Sequence, residues 1–285
     1  MWPLRLSLLA ALWCGASCSV IPIEPNSSTG QENPWGMAFG DSPEQARFLA
    51  EIIEQVLPVY RELAGFKDRP LRAHLTNEDL RDHLNGLSVE PWIGRAWIAI
   101  EAGSSNVPNT VAHELAHFYF HDFQSLFPAV VAEGISDELA DSVFRDQPNF
   151  DLKLITAAVS YLDRFTIRVS GKAAKESLYY LVQEVSPIEE VLSLTRHQNF
   201  SADPRAMASN YGVGWMLVRV IGYDGLVELA QRCRHAGLDR VPIEWLLSAA
   251  NLAPLNQKNL SMAFGRALGI RNFRHGQSLT ITLSG

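Results

Sequence analysis

Apolar residues recur at helical spacing early in the chain: Leu49, Ile52, Ile53, Val56, Tyr60 and Leu63 fall on one stripe. Ser42-Pro43-Glu44-Gln45 starts that helix, with Ser42 as cap, Pro43 at the first helical position and Gln45 completing a capping box. Gly65 ends it. The period then changes to two. Leu71, Ala73 and Leu75 alternate with Arg72, His74 and Thr76, which predicts a half-buried strand. Residues 78 to 86 read as a short amphipathic helix, and residues 95 to 100 as a second strand. After the turn Gly103-Ser104-Ser105-Asn106, Val111, Leu115 and Phe118 form the apolar face of a helix that Asn109 or Thr110 can cap.

From there the pattern is mostly helical. One helix runs from about Ala129 to Phe144, and others cover 152 to 165 and 172 to 185. Ser186-Pro187-Ile188-Glu189 reads as a capping box opening a helix, and Pro242-Ile243-Glu244 opens another in a similar way. A helix around Asn210 to Ile221 is opened by Tyr211-Gly212-Val213-Gly214-Trp215, and residues 278 to 283 form a short terminal strand. This is an α+β chain: a small mixed sheet and the helix that carries Val111, Leu115 and Phe118 come first, then a mostly helical part, with a cleft between them. The division falls near residue 145, giving an α/β subdomain over 42 to 145 and a helical one over 146 to 285.

The chemistry lies where the two parts meet. His113-Glu114-Leu115-Ala116-His117 is an H-E-x-x-H motif. Histidines four apart lie on one face of a helix, so both imidazoles can reach one tetrahedral Zn²⁺. Glu114 borders that face and is too close in sequence to share the ion; it can take a proton from a metal-bound water. A catalytic zinc needs three protein ligands and an open position. Glu133 follows after a loop and the start of the next helix, and Asp137 lies one turn beyond it. A carboxylate there can accept the free N–H of a ligand histidine and fix its tautomer. Gly134 costs about 1 kcal/mol inside a helix relative to Ala, which close helix–helix approach would justify. Glu138 is the rival third ligand, without a following glycine and with Ser142 at its plus-four position. Position 120 is Phe rather than Gly, so the longer metzincin pattern fails, and His121 falls one turn too far along for ligation.

His113-Glu114-x-x-His117 followed by Glu133-Gly134-x-x-Asp137 resembles the gluzincin zinc metallopeptidases, the thermolysin-like and aminopeptidase-like enzymes with a glutamate as third ligand. The resemblance implies a thermolysin/aminopeptidase-like core, Zn²⁺ held by His113, His117 and Glu133, Glu114 as general base, and Asp137 behind a ligand histidine. It also implies that the strand at 95 to 100 is an edge strand pairing with extended substrate; otherwise it is simply an inner strand. Tyr211 matches the tyrosine that donates to the oxyanion in aminopeptidase-like members; otherwise it is a packed aromatic with a hydroxyl partner. The G-x-M-E-N type of motif that clamps a free amine is absent. A non-catalytic envelope binding protein of the same fold, or a hydrolase of another amide or an ester, would carry the same residues. Glu114 argues against the first, since structural zinc needs no general base.

Composition adds the setting. With 285 residues, 47% of them hydrophobic, the chain can bury a sizeable core. A net charge of -7 argues against nucleic acid as main partner; a peptide or protein substrate is what the resemblance implies. Met1 to Arg5 is a basic start, Leu6 to Trp13 a short apolar run, and Gly15-Ala16-Ser17-Cys18 follows. Residues 1 to 18 resemble a bacterial lipoprotein signal with Cys18 as the acylated residue; a plain secretory signal cut near Ser17 to Ser19 is the other reading. Either places the mature protein in the cell envelope or outside. Residues 19 to 41, rich in Pro, Ser, Gly and Asn without periodicity, read as a tether. Once Cys14 is removed, Cys233 is a lone internal thiol with the character of a packed helix residue.

Overall fold

The computed structural model describes residues 24–78, 80, 86–89, 95–104, 106–144, 149–162, 164–194, 203–270 and 279–284. The signal expected over 1 to 18 lies outside them, as does most of the helix expected over 78 to 86. The α+β class holds. A five-stranded sheet is built from β1 (Thr29–Asn33), β2 (Gly36–Gly40), β3 (Leu71–Thr76), β4 (Gly86–Val89) and β5 (Trp97–Glu101) in the order β1-β2-β3-β5-β4. The β2–β3 and β3–β5 pairs are parallel, while both edges, β1 and β4, are antiparallel to their neighbours.

The tether expected over 19 to 41 is corrected here. Residues 29 to 40 form the β1–β2 hairpin. Its polar residues conceal it because β1 is an edge strand with most positions exposed. Glycine is structural at Gly36, where φ is +143 and a Cβ would lie 2.2 Å from the Leu71 carbonyl oxygen. Upstream, the Glu24 carboxylate accepts from Arg72 Nε at 2.6 Å and lies 2.9 Å from His74 Nε2. The alternation on β3 also means less than it promised. His74 and Thr76 are buried as well, because β3 lies inside the sheet with side chains covering both faces.

Helix α1 (Pro43–Arg61) starts as expected: Ser42 accepts from the Gln45 backbone N–H, although Gln45 Oε1 returns the bond to Asp41 rather than to Ser42. It packs beside α2 (Val107–Gln124), with the Tyr60 hydroxyl donating to the Ala112 carbonyl at 3.1 Å. Asn106 caps α2, one turn before the expected Asn109 or Thr110, because Pro108 fits the first turn. Next come α3 (Ala129–Val143), α4 (Asn149–Val159), β6 (Phe165–Ser170), α5 (Lys172–Ser177), a 3₁₀ turn (Leu178–Tyr180) and α6 (Ile188–Ser193). The helices expected over 152 to 165 and 172 to 185 are therefore shorter, and β6 was not foreseen. It pairs in parallel with β7 (Leu279–Ser284), a pairing far apart in sequence that periodicity cannot supply.

The rest is α7 (Pro204–Ile221), α8 (Tyr223–His235), α9 (Ile243–Ala249) and α10 (Gln257–Ala267). α6 and α9 both have proline as N-cap and no side-chain cap, so the box expected from Ser186 does not form. α7 starts earlier than expected, capped by Asp203, which leaves Tyr211, Gly212 and Gly214 in its interior. The glycines serve packing. A Cβ on Gly214 would lie 1.7 Å from the Val130 carbonyl oxygen, and one on Gly134 would lie 2.4 Å from the Gly214 backbone carbon. The close approach expected at Gly134 is thus the α3–α7 crossing. One apolar cluster runs from Ala38 to Ile281, so α3 and α7 share their core across the division expected near residue 145.

Candidate metal centre

α2 and α3 carry the site. α2 presents His113 and His117 from one face, and α3 returns alongside and brings Glu133 opposite them. The Nε2 atoms of the two histidines lie 3.1 Å apart, and each is 3.2 Å from Glu133 Oε2. Ligand atoms on a tetrahedral zinc with bonds of about 2.0–2.1 Å sit roughly 3.3 Å from one another, so the spacing suits such an ion. His113 and Glu133 are buried, His117 partly so.

The opposite ring nitrogens explain why the three atoms face inward. His113 Nδ1 is 2.7 Å from Asp137 Oδ1. His117 Nδ1 is 2.8 Å from Gln124 Oε1 and 3.2 Å from Ser136 Oγ, and Gln124 Nε2 donates to that same hydroxyl at 2.9 Å. With Nδ1 donating on each ring, both Nε2 atoms present lone pairs toward each other and toward a carboxylate oxygen. Three converging lone pairs in a buried place repel unless a cation lies between them. The group can hold a metal ion.

Electrostatics agrees. Burial works against charging His113, yet Asp137 and Glu133 outweigh it and hold the imidazole well above its usual range. Burial likewise opposes protonation of His117, and Glu133 raises it. Glu133 itself, despite burial, is held well below the ordinary carboxylate range by the two histidines. This is a seat for positive charge, whether protons or a metal.

Glu114 is buried beside the group but is not one of the donors; burial, partly offset by the histidines, raises its carboxyl. Burial also raises Asp137, against the pull of His113. Tyr211, half-buried on α7, lies within the field of the same acids: burial first, then Glu133, Asp137 and Glu114, holds its hydroxyl well above the usual tyrosine range. Glu138 is not part of the converging group. It points to Arg219, with Oε2 3.5 Å from Nε. His121 is separate too, since α2 breaks at Phe120 (φ -108, ψ 15) and leaves it exposed with Nδ1 3.6 Å from Asp122.

The strand expected over 95 to 100 corresponds to β5, which is an inner strand, so the edge-strand reading of it is corrected. β4, antiparallel to β5, forms that edge and runs past Glu114. Sequence reasoning missed β4, Gln124 and Ser136. A signal existed for the last two: Gln124 is two helical turns beyond His117, and Ser136 shares a face with Glu133. A surface groove at the β1–β2 turn, between Trp35 and Arg69, includes none of the site residues. No family model matches the chain, and no curated protein or solved structure matches it either.

Proposed function

We propose that the protein is a zinc-dependent hydrolase of the gluzincin type, with peptide bonds as substrate and a thermolysin/aminopeptidase-like arrangement around the metal. The convergence of His113, His117 and Glu133, with the buried Glu114 beside them but outside the donor set, carries this reading. A structural zinc site has no use for that extra carboxylate.

When bound, zinc supplies Lewis acidity and brings water acidity toward neutral pH. The chain does the rest. Asp137 and the Gln124–Ser136 pair keep the Nδ1 protons in place, so both rings offer Nε2 to the metal. The Glu114 carboxylate takes a proton from the attacking water as the new C–O bond forms, then delivers it to the amine as the C–N bond breaks. Burial raises this carboxyl, which helps it hold the proton between the two steps. The Tyr211 hydroxyl keeps its proton at neutral pH and is a donor for the oxyanion. Among the described residues β4 is the outer strand on that side of the sheet, an edge along which an extended peptide can lie. The start of the chain supports export to the bacterial cell envelope, with Cys18 as a lipid anchor. Among the described residues no helix is long and apolar enough to cross a membrane.

The test is elemental analysis of the purified protein together with cleavage of a peptide library. One zinc per chain and cleavage abolished in Glu114→Ala are expected. A protein that takes up no zinc even after reconstitution refutes the hydrolase and leaves a non-catalytic binding protein. A zinc protein that cuts esters or other amides but no peptide moves the substrate class.

A further inference from the structure

We infer that Gly86 is a positioning residue for the reaction. By carrying no side chain it leaves the Glu114 carboxylate its working place beneath the edge strand. The inference rests on the reading of Glu114 as general base.

A Cβ built on Gly86 would lie 2.7 Å from Glu114 Cγ, 2.8 Å from Glu114 Oε1 and 2.8 Å from Thr110 Cγ2. Each is shorter than carbon atoms tolerate in contact. Thr110 and Glu114 lie one turn apart on α2, so β4 crosses that helix over the face carrying the base. The conformation of Gly86 is not the constraint, since its φ is not among the positive values. The constraint is the space above Glu114.

Of the three contacts, Thr110 Cγ2 belongs to a β-branched side chain with a stiff χ1. Its hydroxyl donates to the Asn106 carbonyl at 3.0 Å, which fixes the rotamer further. Glu114 has more freedom. Two of the three contacts are with Glu114, at Cγ and Oε1, so a methyl at position 86 turns that whole side chain about χ1 and carries its carboxylate away, while the Thr110 contact is relieved by a small shift of β4. The three nearest atoms belong to Glu114 and Thr110 and none to His113, His117 or Glu133, so the expected displacement falls on the base and not on the three donors. Gly86 thus separates two properties of the site: the metal seat is indifferent to a side chain there, and the base is not. Near a reacting atom, a displacement of about 1 Å costs on the order of 100-fold in rate.

The experiment is a cycle of Gly86→Ala and Glu114→Ala in the full chain, with zinc content, peptide cleavage and the visible absorption of the Co²⁺-substituted protein as readouts. Expected are one metal per chain in every variant and a kcat lower by about 10- to 100-fold in Gly86→Ala with KM little changed. In the Glu114→Ala background, where cleavage is abolished, the Co²⁺ spectrum is the readout. The Co²⁺ spectrum, which senses the carboxylate beside the ion, should shift in Gly86→Ala and not in the Glu114→Ala background. Unchanged kcat and spectrum in Gly86→Ala would overturn the inference, as would an equal spectral shift in both backgrounds. Should wild type bind metal but cleave no peptide, other amide or ester, the hydrolase reading fails, and the Co²⁺ spectra still decide whether Gly86 positions Glu114. If Gly86→Ala alone folds poorly, adding Thr110→Ala removes the stiff contact and leaves Glu114 as the group that must move, with the same outcomes deciding.

Discussion

The two histidines of the candidate metal centre are held by different chemistry. His113 leans on a fully buried carboxylate, Asp137, which reaches it from α3. His117 leans on two neutral groups, Gln124 from its own helix and Ser136 from α3, which also bond to each other. Both arrangements fix the same tautomer. Only the first adds negative charge behind the ring, and that charge makes the imidazole a stronger donor. The difference shows in the field at each ring: His113 is held well above its usual range, with Asp137 the leading upward influence against burial, whereas His117 depends on Glu133 across the site. Orientation and charge are thus separable here, one histidine receiving both and the other orientation alone.

Removing what the two sides share should have the largest effect. Glu133→Ala should abolish stoichiometric zinc, checked by elemental analysis; retention of one zinc per chain would refute the donor set. Next comes the charged side. Asp137→Ala should weaken zinc about 100-fold in competition with a chromophoric chelator, near the upper end of effects seen for groups behind metal ligands. Asp137→Asn restores an acceptor without charge and makes the His113 side resemble the His117 side, so it should recover part of that loss. An Asn variant no better than Ala would mean that charge alone matters. On the neutral side, Gln124→Leu should cost less, about 10-fold, because Ser136 remains within reach of His117 Nδ1.

Acidity sharpens the comparison further. The metal-free site holds protons on histidines whose affinity for them is raised, and zinc must expel those protons. Zinc affinity should therefore fall as pH drops through the raised His113 and His117 range and level off above it. In Asp137→Asn, burial is no longer opposed by that acid, so the His113 proton leaves at lower pH and the fall shifts the same way. Chelator competition carried from the ordinary histidine range upward into alkaline pH, the direction in which both histidines are shifted, checks this. The smallest effect belongs to Glu138→Ala. It should leave zinc unchanged and shift stability by less than about 1 kcal/mol, since its ion pair with Arg219 is partly exposed.

Local pattern made much of this site legible. Spacing of four put His113 and His117 on one face, and the interval to Glu133 placed the third donor on the next helix. The one-turn offset of Asp137 anticipated its place behind a ligand histidine, and Gly134 anticipated a tight helix crossing. These succeed because α-helical periodicity is fixed by backbone hydrogen bonding, so positions along one helix translate directly into faces. The hairpin at 29 to 40 failed the same test. Its exposed edge strand carries no apolar alternation, and what holds it is pairing to β3, far along the chain.

By itself, then, the sequence determined which helix face carries the two histidines, where the third donor can come from, and that a spare carboxylate stands beside them. The tertiary structure alone decided that Glu133 and not Glu138 faces the histidines, that β4 and not β5 is the edge, and that Gly86 lies over Glu114. It also decided that a neutral pair holds His117. The reason is common to all four. Periodicity fixes directions within one element, whereas these choices depend on the angle and depth at which separate elements pack. Those are set by surfaces meeting across the core, such as the bare backbones of Gly134 and Gly214, and which surface meets which is not encoded in local pattern.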